Sequence, residues 1–286
     1  MAAIDPIVTG LASAVSFGCA DFLGGRATRT LGAAATVAYV QAVAIVFLGA
    51  LVVATDAQVP RDGDLMLSVA AGLADGVALT ALYQGLAIGR ISIVAPLAAV
   101  VGVVVPALGE MMLSGPQGLP TLGGIALAVL AVLLLGQTGE EDAQAGAGNR
   151  RISYMLGAFS GAMFGMTTLS LGLVAPENAT GATMVMRTSA VVVAGLIALG
   201  ALSRVRASRR GLLEGGGAGV LDGLAMLALV TTATQGLIGF AAALNALYAG
   251  VTVLLGVVFL KERVSPVQGL GLMVSGFSVV LLASGH

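Results

Sequence analysis

The sequence predicts an all-α polytopic membrane protein in which ten transmembrane helices form two inverted five-helix repeats. Three observations carry that expectation. Hydrophobic residues make up 58% and charged residues 9% of the 286 positions, whereas a soluble globule carries about 25% charged residues, and the mean hydropathy is +1.03. The apolar runs come in pieces of about the 20 residues that a bilayer-crossing helix needs. The stretches "GLADG" (Gly72–Gly76) and "GVLDG" (Gly219–Gly223) place an aspartate in matched apolar surroundings, 147 positions apart.

Cutting the chain at its charged, proline and glycine clusters gives spans at 5–26, 33–54, 65–88, 91–113 and 119–137, then 152–175, 180–202, 213–235, 237–260 and 265–284. The start, "MAAIDP", has no basic n-region and its apolar run outlasts a signal-peptide h-region, so the first span is expected to be retained. The joins at Gly89–Ile91 and near Gly236 are tight. The longest polar insert, "GEEDAQAGAGNRR" at 139–151, is expected to be a cytoplasmic linker between a first repeat at 1–138 and a second at 152–286.

Orientation follows from the 13 basic residues. Arg26, Arg29, Arg90, Arg150, Arg151, Arg204, Arg206, Arg209, Arg210, Lys261 and Arg263 all follow odd-numbered spans. Arg61 stands alone on the other side and Arg187 lies within a span. The positive-inside rule puts the basic side in the cytoplasm and both termini outside. Arginine outnumbers lysine 12 to 1, as in a GC-rich bacterial gene, so the expected location is the bacterial cytoplasmic (inner) membrane. The sequon at Asn178 is taken as a chance match.

Several function classes find no support. There is no basic groove interleaved with aromatics for nucleic acid, and no phosphate-binding Gly-Lys-Ser/Thr loop for an ATPase. Cys19 has no partner for a disulfide, and His286 is the sole histidine, so the usual metal sites are absent. No cofactor is expected, and a monomer is possible.

Shifting the chain by 147 aligns "GLASAVSFG" (Gly10–Gly18) with "GAFSGAMFG" (Gly157–Gly165) and Ala35-Thr36 with Ala182-Thr183. A later slip pairs "QGL" at 84–86 with 235–237, and Glu110 with Glu262, at offsets of 151 and 152. Five spans per repeat is an odd number, so the second copy inserts upside down, and such folds hold substrate near the midplane between copies.

Phe17-Gly18, "YQGLAIGRISIVAPL" (Tyr83–Leu97) and "FLKERVSPVQGLGLMVSG" (Phe259–Gly276) resemble the ten-span EamA-type members of the drug/metabolite transporter superfamily. Lys261-Glu262 before Pro266 and Gly269 resembles that family's junction between spans 9 and 10, while the ten residues from Glu110 to Pro120 imply an insertion in the first half. The resemblance implies a ten-helix inverted repeat and transport of a small metabolite, usually export. It implies no particular substrate.

Ionisable residues at mid-membrane cost about 2.5–3.5 kcal/mol on insertion scales and by default face the bundle interior. Asp75 and Asp222 are expected near the midplane, Arg187 close to them in depth, and Asp21 nearer the cytoplasmic face. With three acids and one base, Arg187 is expected to pair with one aspartate, foremost Asp222, leaving Asp75 without a basic partner. Such a carboxyl in low dielectric can exchange a proton or attract a cationic substrate. Asp21 is expected either to share that role or to join the interfacial Arg26.

Ser13, Phe17 and Asp21 share one side of the first span, with Ser160, Phe164 and Thr168 as their shifted counterparts. Further cavity-lining candidates are Tyr39, Gln41, Tyr83, Gln84, Gln235, Asn245 and Tyr248, together with Pro96 and Pro106 as kinks or gate hinges. The pairs Gly72/Gly76, Gly219/Gly223, Gly85/Gly89 and Gly161/Gly165 are spaced for close helix packing.

The function expected is a secondary transporter, an exporter, of a small amphipathic metabolite by alternating access, with protons as candidate coupling ions. The alternatives are a non-transporting scaffold or lipid-handling protein and an intramembrane aspartic protease, whose dyad would share one proton. The protease reading is weakened because Ala74 precedes Asp75 and Leu221 precedes Asp222, unlike the Tyr-Asp and Gly-x-Gly-Asp patterns of such enzymes. From the charge distribution, a reporter that fluoresces only in the cytoplasm is expected to stay dark when fused after His286. Bright fusions would reverse the orientation.

Overall fold

The computed structural model describes residues 5–55, 58–89, 91–115, 118–135, 147–199, 208–233, 238–261 and 264–284. Regular structure in these residues is helical. In the first half it comprises α1 (Pro6–Leu31), α2 (Ala33–Thr55), α3 (Asp62–Ile88), α4 (Ile91–Ser114) and α5 (Leu119–Leu135). The second half holds α6 (Ala147–Gly172), a 3-10 turn at Pro176–Asn178, α7 (Ala179–Leu199), α8 (Arg209–Ala233), α9 (Ile238–Ala246), α10 (Tyr248–Leu260) and α11 (Pro266–Ser284). Among the described residues, seven helices (α1, α2, α3, α4, α6, α7 and α8) are long and apolar enough to cross a membrane.

The distribution of polarity says the same. Val46, Val53, Met112 and Leu119 are each at least 75% exposed, whereas Arg187, Gln41, Ser13 and Ser68 are 0% exposed. Apolar side chains outside and polar ones inside suit a hydrocarbon solvent rather than water. It is a membrane protein.

Local chemistry sets the ends of the helices. Asp5 caps α1 by accepting from the Ile7 N–H at 2.8 Å, with Pro6 at the first helical position, where its missing donor costs nothing. Gly32, at φ 84°, lets the chain leave α1 and enter α2 within one residue. Inside the helices, Thr28, Thr36, Thr80 and Thr183 donate to the carbonyl four residues back at 2.8–2.9 Å. Each hydroxyl is thus satisfied where no water reaches it.

Several boundaries differ from expectation. α1 runs to Leu31 rather than stopping at 26, because Arg26 finds its partners in the fold: its Nη2 lies 2.6 Å from Glu214 Oε1 on α8, and its guanidinium sits 5.4 Å from the Phe22 ring centroid. α6 begins at Ala147, inside the expected linker, whose residues 139–146 lie outside the described residues. The expected ninth span is interrupted at Leu247, where bonds from Leu247 N to Leu244 O and from Gly250 N to Leu247 O tighten the turn. The insertion expected before Pro120 is absent. Three helix starts keep the 147 offset, from Asp62 to Arg209, Ile91 to Ile238 and Leu119 to Pro266. Gln235 and Glu262 lie outside the described residues.

The halves interleave rather than forming separate lobes: α1 lies along α8, α3 along α6, and α5 along α11. Small residues allow the close approach. A methyl group on Gly72 would overlap the Met186 carbonyl oxygen of α7, and one on Gly219 would meet the Val40 carbonyl oxygen of α2. On α6, Gly161 and Gly165 abut the Ala98 and Gly102 carbonyls of α4, and on α1 Gly18 abuts the Tyr248 carbonyl and Val251 of α10. Gly72→Ala and Gly219→Ala are therefore expected to lower the melting temperature in detergent by roughly 2–10 °C. Gly250→Ala and Gly276→Ala, where nothing lies within 4 Å, are expected to leave it unchanged or slightly raised. Equal losses at all four positions would remove close packing as the role of Gly72 and Gly219.

Candidate functional site

Two features meet in the middle of the bundle: a buried charge cluster and a cavity. Asp75 is the fourteenth residue of α3 and Asp222 the fourteenth of α8, each roughly 20 Å along its helix. Arg187 is the ninth residue of α7 and Gln41 the ninth of α2. All four are at most 2% exposed.

Arg187 Nη1 lies 2.6 Å from Asp222 Oδ2 and 3.4 Å from Asp75 Oδ2, and it donates to Gln41 Oε1 at 2.7 Å. Its Nη2 donates to the Asp222 carbonyl oxygen at 3.1 Å. Gln41 Nε2 donates in turn to Asp75 Oδ2 at 2.7 Å. The approach to Asp222 Oδ2 is a charge contact out of line with the N–H bond, and neither that oxygen nor Arg187 Nε is hydrogen-bonded among the described residues. The expected pairing with Asp222 is therefore present, but Asp75 is not left alone. A guanidinium presents five donors in a planar fork, enough to face both carboxylates at once, and the amide of Gln41 completes the bridge to Asp75.

Of the three aspartates buried among the described residues, the one without a partner there is Asp21. It does not join Arg26, which is paired with Glu214. Asp21 is 4% exposed, lines the cavity, and has no hydrogen bond or ion pair among the described residues.

The cavity takes walls from both halves: Phe17 and Asp21 of α1, Leu79 of α3, and Ala98, Ala99, Gly102 and Val103 of α4. Facing them are Phe164, Thr167 and Thr168 of α6, Met226 and Leu229 of α8, Ala242, Asn245 and Ala246 of α9, and Tyr248 of α10. It holds about 560 Å³ of space free of atoms, part of it at an open mouth, of which only about 40 Å³ is wide enough to centre a water molecule. At about 10–15 Å³ per seated water, this conformation is narrow. The Phe17 and Tyr248 rings meet edge to face at 6.5 Å between centroids, and the Tyr248 hydroxyl has no partner among the described residues.

Of the candidates read from the sequence, Phe17, Asp21, Phe164, Asn245 and Tyr248 line this cavity. Ser13 donates to Asn245 Oδ1 at 2.9 Å and orients it. Gln41 belongs instead to the charge cluster. Tyr39 packs on Gly215 of α8 and Tyr83 on Gly24 of α1, so both are excluded from the cavity. Gln84 is exposed. Pro96 is buried in α4 without lining the cavity, and Pro106 packs against Gly165; α4 continues through both prolines. Asn178 donates its amide nitrogen to Asp64 Oδ2 at 2.8 Å.

Leu79, Met226, Ala99 and Ala246 were missed because single apolar residues carry no chemical signal. The 147-residue offset could have found them. Phe17 and Phe164, Asp21 and Thr168, Leu79 and Met226, Ala98 and Asn245, and Ala99 and Ala246 are each 147 residues apart, and every pair lines the cavity.

No family model matches the sequence, and no curated protein matches it. A solved structure described only as "Crystal structure of protein" superposes with a TM-score of 0.71 over 99% of each chain, at 13% identity. The likeness is one of fold.

Arg187→Met strands two buried carboxylates and is expected to cost about 3–5 kcal/mol of stability. Adding Asp222→Asn is expected to recover part of the loss, and adding Asp75→Asn a smaller part. Unfolding of the two double-mutant cycles in detergent should give non-zero coupling for both pairs, of about 0.5–3 kcal/mol. Additive losses in both cycles would dissolve the cluster.

Proposed function

We propose that this protein is a secondary transporter that exports a small amphipathic metabolite across the bacterial cytoplasmic membrane by alternating access. In this reading the chain crosses the bilayer ten times as two inverted five-helix repeats, with both termini outside. The observation that carries the proposal is the cavity, lined from both halves by five pairs of residues one repeat length apart. A site on the pseudo-two-fold axis of an inverted repeat is where such transporters hold substrate. The packing supports the repeat as well, because α1 with α8 and α3 with α6 are equivalent pairings under exchange of halves.

The break at Leu247 between α9 and α10 adds support. Interrupted helices beside a midplane cavity are a recurring feature of transporters, where irregular backbone is tolerated because it borders a cavity. Asn245, Ala246 and Tyr248, on either side of the break, all line the cavity. The resemblance of Tyr83–Leu97 and Phe259–Gly276 to EamA-type drug/metabolite transporters points the same way. Arg187, set between Asp75 and Asp222, counts against the aspartic-protease reading, since a protease dyad needs two carboxyls sharing a proton.

In sealed liposomes, the purified protein is expected to speed the release of at least one preloaded amphipathic solute from a chemically varied panel. Leu79→Trp, which fills the cavity from one wall, should slow that release several-fold while costing about 1–3 kcal/mol of stability. Release of the whole panel at the protein-free rate would overturn the transport reading.

A further inference from the structure

Asp21 sits where a structural carboxylate has no reason to be. Burying an ionised group is costly unless it is paired, and Arg187, the buried base among the described residues, is committed to Asp75 and Asp222. Asp21 instead lines the cavity, 4% exposed and without a partner among the described residues. The negative potentials of Asp222 and Asp75 also act on it.

The surrounding groups match that charge. Phe17, Phe164 and Tyr248 line the same cavity, and ring faces attract cations. Tyr248 is 7% exposed, and its buried hydroxyl is without a partner among the described residues. Thr167 directs its single proton between the Ala71 and Met163 carbonyls, and Thr168 donates to the Phe164 carbonyl. With their protons directed into backbone, these hydroxyl oxygens keep acceptor capacity for a ligand. An anion would find no cationic side chain among the cavity's described lining. The remaining wall, including Leu79, Val103 and Met226, is apolar.

We propose that this cavity recognises a monovalent organic ammonium ion, its charged head held by Asp21 with Tyr248 and its apolar body laid against the Phe17 and Phe164 side of the pocket. The proposal rests on the transport reading for its purpose but not for its test. The site takes one positive charge on a body the size of a single aromatic ring. Asp21 supplies charge recognition, and the aromatic rings supply affinity for the poorly hydrated part of the cation.

The test uses 2-phenylethylammonium, its uncharged near-isostere 2-phenylethanol and the anion phenylacetate, each titrated calorimetrically into the intact protein in detergent. The ammonium ion is expected to bind at least about tenfold more tightly than the alcohol, and phenylacetate not at all. Asp21→Asn should abolish that preference while raising or preserving the melting temperature, because Asp21 has no partner among the described residues to lose. Asp21→Glu should restore part of the preference, and Tyr248→Phe should weaken ammonium binding several-fold. Equal affinity for the ammonium ion and the alcohol, or a preference that survives Asp21→Asn, would overturn the proposal. Charge-selective binding without flux in liposomes would uphold the cation site and defeat the transport reading. Flux of an uncharged or anionic solute that 2-phenylethylammonium does not inhibit would do the reverse.

Discussion

The burial of one guanidinium organises the centre of this molecule. Arg187 on α7 has no exposed surface, and an unpaired charge in that position would be expelled or neutralised. Its contacts therefore fix the helices that supply them: Asp222 from α8, Asp75 from α3 and Gln41 from α2. Four helices are brought to one depth by a single side chain. Because Gln41 donates to the same Asp75 oxygen that Arg187 approaches, each member limits the freedom of the others.

Around that cluster the packing is made by residues with almost no side chain. Gly72 and Gly76 meet backbone and side chains of α7, and Gly219 and Gly223 meet α2. Lipid gives helices no hydrophobic reason to associate, so close backbone approach and interhelical polar contacts hold the bundle together. The charge cluster and the glycine seams lie on the same helices. Asp75 follows Gly72 and precedes Gly76, and Asp222 stands between Gly219 and Gly223, so the small residues that let α3 and α8 approach their neighbours also bring the carboxylates within reach of Arg187.

Charge pairing divides the buried aspartates Asp21, Asp75 and Asp222 into two kinds. Asp75 and Asp222 face a base and act on the architecture, whereas Asp21 faces a cavity. Their separation lies in the helices that carry them: α3 and α8 border α7 and its arginine, while α1 packs on α8, α9 and α10 and turns Asp21 toward the space between the halves. Phe17 lies one turn before Asp21 on α1, and Tyr248 starts the helix after the Leu247 break. The aromatic neighbours of the free carboxyl thus come from both halves of the chain.

The all-helical membrane character was legible in the sequence, because hydropathy and the length of apolar runs answer directly to bilayer thickness. The 147-residue offset was legible too, from local matches such as Phe17 with Phe164, and the structure keeps it where sequence identity alone suggested a slip near Gln84 and Glu110. Sequence also singled out Asp21, Asp75, Asp222 and Arg187, since an ionisable residue in an apolar run is costly wherever it ends up. Which acid meets the base was not legible. One-dimensional depth put Arg187 near both Asp75 and Asp222 and drew Asp21 toward Arg26, but pairing depends on which helix faces which. That was decided only by the packing of α7 against α2, α3 and α8, and by Glu214 reaching Arg26 across the α1–α8 seam. Sequence records the cost of a buried charge, while tertiary structure decides its partner, because ion pairs form across helix faces set by glycine contacts far apart in the chain.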